Sequence, residues 1–163
     1  MFTKIKPFKL MHARALILTL SLVLVHGHSA IGKETPAAST VSSSAEKIHR
    51  VVIQVTLDGE DNWNKVLNHV ENLKKGFAPD KVEIEVVTHG DAAGFVLAKN
   101  TALSERIQKN EANGVQFSFC SNTQKKNNIK TEELTPGVTI VPAGIVQVIK
   151  RQEEGWSYVK AGN

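Results

Sequence analysis

The sequence predicts a small three-layer α/β domain built on a mainly parallel sheet, and three observations carry that reading. Short β-branched runs alternate with segments of helical period roughly ten to fifteen residues long, the pattern of right-handed βαβ crossovers. The runs are nearly continuous in apolar residues, as in strands covered on both faces. Residues 48–163 also amount to about one ordinary domain.

Ile48 to Thr56 (IHRVVIQVT) reads as the first strand. Asp61 or Asn62 is placed to cap the helix that follows, in which Trp63, Val66, Leu67, Val70, Leu73 and Phe77 recur at helical spacing and Gly76 lies near the stop. Val82 to His89 (VEIEVVTH) is a second strand, closed by Gly90. Asp91 to Lys99 has short helical or loop character, and Leu103 to Asn113 is a helix ended by Gly114. Val115 to Cys120 is the third strand, followed by a polar helix or turn through Asn128 and a single turn over Thr131 to Leu134. Pro136-Gly137 marks a turn before the short strand Val138 to Val141. Pro142 suits the first position of a helix that sets Ile145, Val148, Ile149 and Gln152 on one face. Gly155 stops that helix, and Trp156 to Lys160 closes the sheet. The whole is flavodoxin-like in size and layering.

Residues 1–32 stand apart. Lys4, Lys6, Lys9 and Arg14 form a basic stretch without acidic residues, and Ala15 to Val25 carries no charge. That apolar run is too short to span a bilayer, which takes about twenty residues, and suits the core of a secretory signal peptide. Small residues follow, with Ala30-Ile31-Gly32 or Ser29 as the expected cleavage position. The expected location is therefore the periplasm, with no stable membrane insertion after cleavage. Residues 33–47 (KETPAASTVSSSAEK) are poor in large apolar side chains and read as a disordered linker. The chain holds 20 Lys and Arg against 16 Asp and Glu, and four of the basic residues precede residue 33. The remainder is neutral and offers no basic face for nucleic acid.

Cys120 is the one cysteine, so no internal disulfide is available to an exported chain. It sits where the third strand hands over to Ser121, Asn122 and Thr123, residue types that cap helices. Backbone N–H groups and the positive end of a helix favour the thiolate, the reactive form. The alternative is a buried, inert cysteine. Asn122 and Thr123 either hydrogen-bond the thiol or cap the helix. His89, at the end of the second strand beside Gly90, either pairs with Cys120 as a base or is a loop histidine. His49 and His69 lack metal-ligand spacing, and no metal is expected. The absence of G-x-G-x-x-G after the first strand and of a P-loop leaves no cofactor expected. Asp58, Glu60 and Asp61 make an acidic loop after the first strand, and Lys125 and Lys126 a short basic step past the thiol.

Val51-Val52-Ile53-Gln54-Val55, Trp63-Asn64, Leu67-Asn68, Val82 to Val87 and His89-Gly90 together resemble the DsrE/DsrF-like family of sulfur-relay proteins, in its small exported branch. The most specific part is Cys120-Ser121-Asn122-Thr123, followed by Glu133-Leu134, Pro136-Gly137-Val138, Val141-Pro142-Ala143-Gly144, Gly155-Trp156 and Tyr158. The resemblance implies a persulfide carried on Cys120, exchanged with a sulfur donor or acceptor protein or a small sulfur compound, and a homo-oligomer, trimer or hexamer. With no second cysteine, any relay has to be intermolecular. A second class stays open: a non-enzymatic oligomeric binding or assembly module in which Cys120 is structural.

Overall fold

The structure is a computed structural model and describes residues 47–162. The predicted signal peptide and, but for Lys47, the linker lie outside the described residues. Five strands and four helices alternate: β1 (Ile48–Val55), α1 (Glu60–Phe77), β2 (Lys81–Thr88), α2 (Thr101–Glu111), β3 (Gln116–Cys120), α3 (Ser121–Lys126), β4 (Thr139–Val141), α4 (Gly144–Glu153) and β5 (Ser157–Ala161). Single 3-10 segments cover Gly90–Val96 and Thr131–Glu133. The sheet order is β4-β3-β2-β1-β5, and every neighbouring pair is parallel. The chain steps outward from β1 to β4, and α4 then carries it back across the sheet to β5. This is the three-layer, flavodoxin-like α/β arrangement the sequence predicts, with the sheet wholly rather than mainly parallel.

Alternate strand residues point to opposite faces, and the two faces are filled unequally. On one, Val51, Ile53, Val55, Ile84, Val86, Phe117 and Phe119 meet Val66, Leu67 and Val70 of α1 and Leu103 and Ile107 of α2. On the other, Val52 and Val87 meet Val148 of α4, with Trp156 packed partly against them. Full burial of one aliphatic side chain contributes roughly 1.5–3 kcal/mol. By that measure Val148 alone anchors α4 far less firmly than three buried aliphatics anchor α1. The other sheet positions beneath α4 include buried polar residues, Gln54, Glu85 and Ser118.

Three local expectations change. α1 begins at Glu60 with Gly59 as its N-cap, ahead of the predicted caps Asp61 and Asn62. Gly59 adopts φ +105°, which turns the chain early, and Asn62 donates back to the Asp58 carbonyl at 2.8 Å. Pro142 lies outside α4: Val141 is still paired with Cys120, Ala143 is extended, and the helix starts at Gly144. Of the face predicted for α4, Val148 is buried while Ile145 and Ile149 stay 50% and 47% exposed. The helix is rolled so that Gln147 and Arg151 reach inward to Glu85. Among the described residues no helix is long and apolar enough to cross a membrane.

Candidate functional site

The carboxyl ends of parallel strands are where open α/β sheets build their sites, and here they gather the polar groups around one thiol. Cys120 ends β3 and is itself the N-cap residue of α3, with extended φ and ψ of −70° and 120°. The residue is 6% exposed, yet it belongs to neither apolar cluster. It stands at the N-terminus of α3. Burial works against ionisation, but the backbone N–H of Gly144, the N–H and hydroxyl of Thr123, and the N–H of Asn122 outweigh it and hold the thiol pKa below its ordinary value. The groups that favour the thiolate are main-chain N–H donors at the starts of α3 and α4 together with the Thr123 hydroxyl.

Thr123 ties two loops together. Its Oγ1 accepts the Gly90 N–H at 3.0 Å, which leaves its own proton for the thiol. Gly90 has φ +66°, a conformation L side chains rarely adopt, so the residue type matters for this donor's direction. Gly144 is fixed from the other side. A Cβ there would stand 2.9 Å from the His89 Cβ and 3.0 Å from its Cδ2, so the start of α4 and the end of β2 touch with no room for a side chain.

His89 does not pair with Cys120. Its Nε2 faces Gln54 Nε2 at 2.8 Å, and Gln54 Oε1 accepts the hydroxyl of Tyr158. An amide NH2 only donates, so the imidazole Nε2 accepts and the ring proton resides on Nδ1. Burial lowers the His89 pKa, which favours the same neutral form.

Of the residues singled out in the sequence, Cys120, Thr123, Gly90 and the main chain of Asn122 come together, and His89 joins them through Gly144. The Asn122 side chain is exposed and no side chain caps α3, so capping is not what Asn122 and Thr123 do. Asp58, Glu60, Asp61, Lys125 and Lys126 are exposed. Trp63 is buried in the main core, its Nε1 donating to the Leu57 carbonyl at 3.0 Å. Among the described residues no cluster of three or more His, Cys, Asp or Glu is arranged to hold a metal ion. In the sequence, Gln54, Gly144 and Tyr158 have a place in the family resemblance but no role at the site. Gln54 did carry a signal, as the one polar residue inside Val51 to Val55.

Comparison with known proteins agrees with this architecture. The profile of the DsrE/DsrF-like family matches residues 22–161. A protein of unknown function, MTH1491 from Methanobacterium thermoautotrophicum, is similar in structure at TM-score 0.64 and 28% identity, covering 69% of this chain and 98% of that one. BT1422 from Bacteroides thetaiotaomicron, a conserved protein of unknown function, aligns at TM-score 0.55 and 18% identity over 68% of this chain and 93% of its own. The ychN protein from E. coli aligns at TM-score 0.55 and 16% identity over 71% and 98%. These last two likenesses speak to the fold alone. No curated protein matches the sequence.

Proposed function

The chain belongs to the DsrE/DsrF-like family, which is generally linked to sulfur relay, and from that premise we propose that it is a periplasmic sulfur carrier holding a persulfide on Cys120. The observation that carries this reading is the placement of the thiol at the carboxyl end of β3 as the N-cap of α3, where neutral N–H and O–H donors favour its thiolate.

The exchange is balanced without a redox partner. Cys120 gives up its proton to solvent, and the thiolate attacks the outer sulfur of a donor persulfide. One S–S bond forms, the donor's S–S bond breaks, and the donor departs as a thiolate. An acceptor thiolate then attacks the same outer sulfur and releases Cys120. The donors on Cys120 favour the thiolate in both the entry and the exit of sulfur. Low exposure limits competing oxidation of the thiol. Asn122, Thr123, His89 and Gly90 make up the binding surroundings.

Self-association is part of the proposal. Ile145, Val146 and Ile149 expose about half of their surface along α4, an apolar stripe that a second copy would cover in a trimer or hexamer. The competing reading, a binding module in which Cys120 only packs, draws on the thiol's 6% exposure. Intact-mass spectrometry after incubation with polysulfide separates the two. The carrier gains the mass of one sulfur, loses it to excess thiol, and gains nothing as Cys120→Ser. A folded protein that takes up no sulfur would leave the module.

A further inference from the structure

Glu85 lies in the middle of β2, 1% exposed, and the thiol chemistry does not use it. Its carboxylate is surrounded by donors from two elements. Ser118 of β3 donates to Oε1, Gln147 of α4 donates to Oε1 and Oε2 at 3.0 and 3.1 Å, and Arg151 of α4 donates to Oε2. Arg151 in turn reaches Glu154 at 2.9 Å and Gln116 at 3.0 Å, and lies over the Trp156 ring at 4.4 Å.

The placement of these groups gives them a second consequence. Gln147 and Gly144 share the first turn of α4, and Gly144 packs on His89 with no space to spare. Ser118 is two residues before Cys120 on the same face of β3, and Cys120 pairs with Val141, three residues before Gly144. The apolar contribution to α4 is small, with Val148 as its one large buried side chain. The buried carboxylate is therefore the main polar anchor of α4 on the sheet, through Gln147 and Arg151.

We propose that Glu85 is a positioning residue for Cys120: by clamping Gln147 and Arg151 it sets the first turn of α4, and with it the Gly144 N–H, against the thiol. This deepens the sulfur-carrier reading and rests on it. The register brings the start of α4 close to the thiol, since Cys120 pairs with Val141 and α4 begins three residues later, and the Gly144 N–H leads the groups that lower the thiol pKa. Other titratable groups leave the assignment clear. His89 touches Gly144 and hydrogen-bonds Gln54, and Arg151 is neutralised by Glu85 and Glu154.

The test is the pH profile of iodoacetamide alkylation of the folded full chain, for wild type, Glu85→Gln, Gln147→Met and Leu67→Ala. Leu67 is buried on the opposite face, so its truncation destabilises the fold without touching α4. Glu85→Gln should move the alkylation midpoint up by about one pH unit, a tenfold smaller thiolate fraction below the midpoint. Gln147→Met should move it the same way by less, and Leu67→Ala should leave it in place. Should Glu85→Gln fail to fold, Gln147→Met alone carries the test. Coincident profiles for wild type and the folded clamp variants would overturn the positioning role, whatever their stability. A wild-type thiol that alkylates only after denaturation would instead overturn the carrier reading on which the role rests.

Discussion

Adding one methyl group at Gly144 tests the junction between α4, β2 and the thiol. The Cβ of Gly144→Ala would sit 2.9, 3.0 and 3.1 Å from the Cβ, Cδ2 and Cγ of His89. Carbon atoms prefer separations of about 3.5–4.0 Å, so the overlap is about half an ångström or more at three atoms. Ring rotation relieves only the Cδ2 contact, because the Cβ is fixed to the backbone just past β2. Overpacking of this kind costs about 1–3 kcal/mol. The helix preference of alanine over glycine returns at most about 1 kcal/mol, so the net loss should be up to about 2 kcal/mol when that return is complete. Displacing α4 also withdraws the Gly144 N–H from Cys120, and the thiol pKa should rise. Urea denaturation reads the first effect, and titration of the thiolate ultraviolet absorbance reads the second. Equal or greater stability together with an unchanged thiol titration would refute the close-packing argument.

Further outcomes follow from single groups. The Thr88 hydroxyl is fully buried without a hydrogen-bond partner among the described residues, so Thr88→Val should stabilise the fold by about 1 kcal/mol in urea titrations. A clear loss instead would show that the hydroxyl has a partner in solution. Burial depresses the His89 pKa, whereas the unfolded chain binds that proton near about 6.5. Its contribution to stability is complete above that pH and is lost as pH falls through the folded pKa. His89→Gln should therefore flatten the stability profile between about pH 7 and pH 5, and an unaltered slope would contradict the shift. Glu71, held below its ordinary value chiefly by Arg106 at 2.9 Å, adds a separate loss at lower pH. Ile149→Lys places a charge on the exposed stripe of α4 and should reduce the sedimentation mass toward the monomer; an unchanged mass would remove this face from the assembly.

The fold was legible because the apolar periods were. Val51 to Val55 and Val82 to Val87 lie beneath helices on both faces, and Trp63 to Val70 repeat at the spacing that buries one side of α1. The site was legible only where one residue type stood out: a lone cysteine at a strand end, and a glycine after a histidine. The rest depends on tertiary placement. Glu83 and Glu85 look alike in the sequence, yet Glu83 pairs with Arg50 at the surface while Glu85 is covered by α4 and its partners Gln147 and Arg151. No local pattern marks that difference, because the covering helix comes from about sixty residues further on. The same cause explains α4, whose sequence sets Ile145 and Ile149 on one face with Val148, the only one of the three that is buried. α4 turns Val148 toward the sheet together with Gln147 and Arg151, which reach Glu85.

If Cys120 carries sulfur, the folded protein should make it more reactive than an ordinary cysteine toward sulfane sulfur. The most direct measurement compares the rate of persulfide formation on the native protein at pH 7 with the rate on the same chain unfolded in urea, following intact mass after a polysulfide pulse. The donors from Gly144, Thr123 and Asn122 predict faster loading of the native thiol, with the added sulfur located on Cys120. Loading that occurs only after unfolding would contradict the account and leave Cys120 a packing residue.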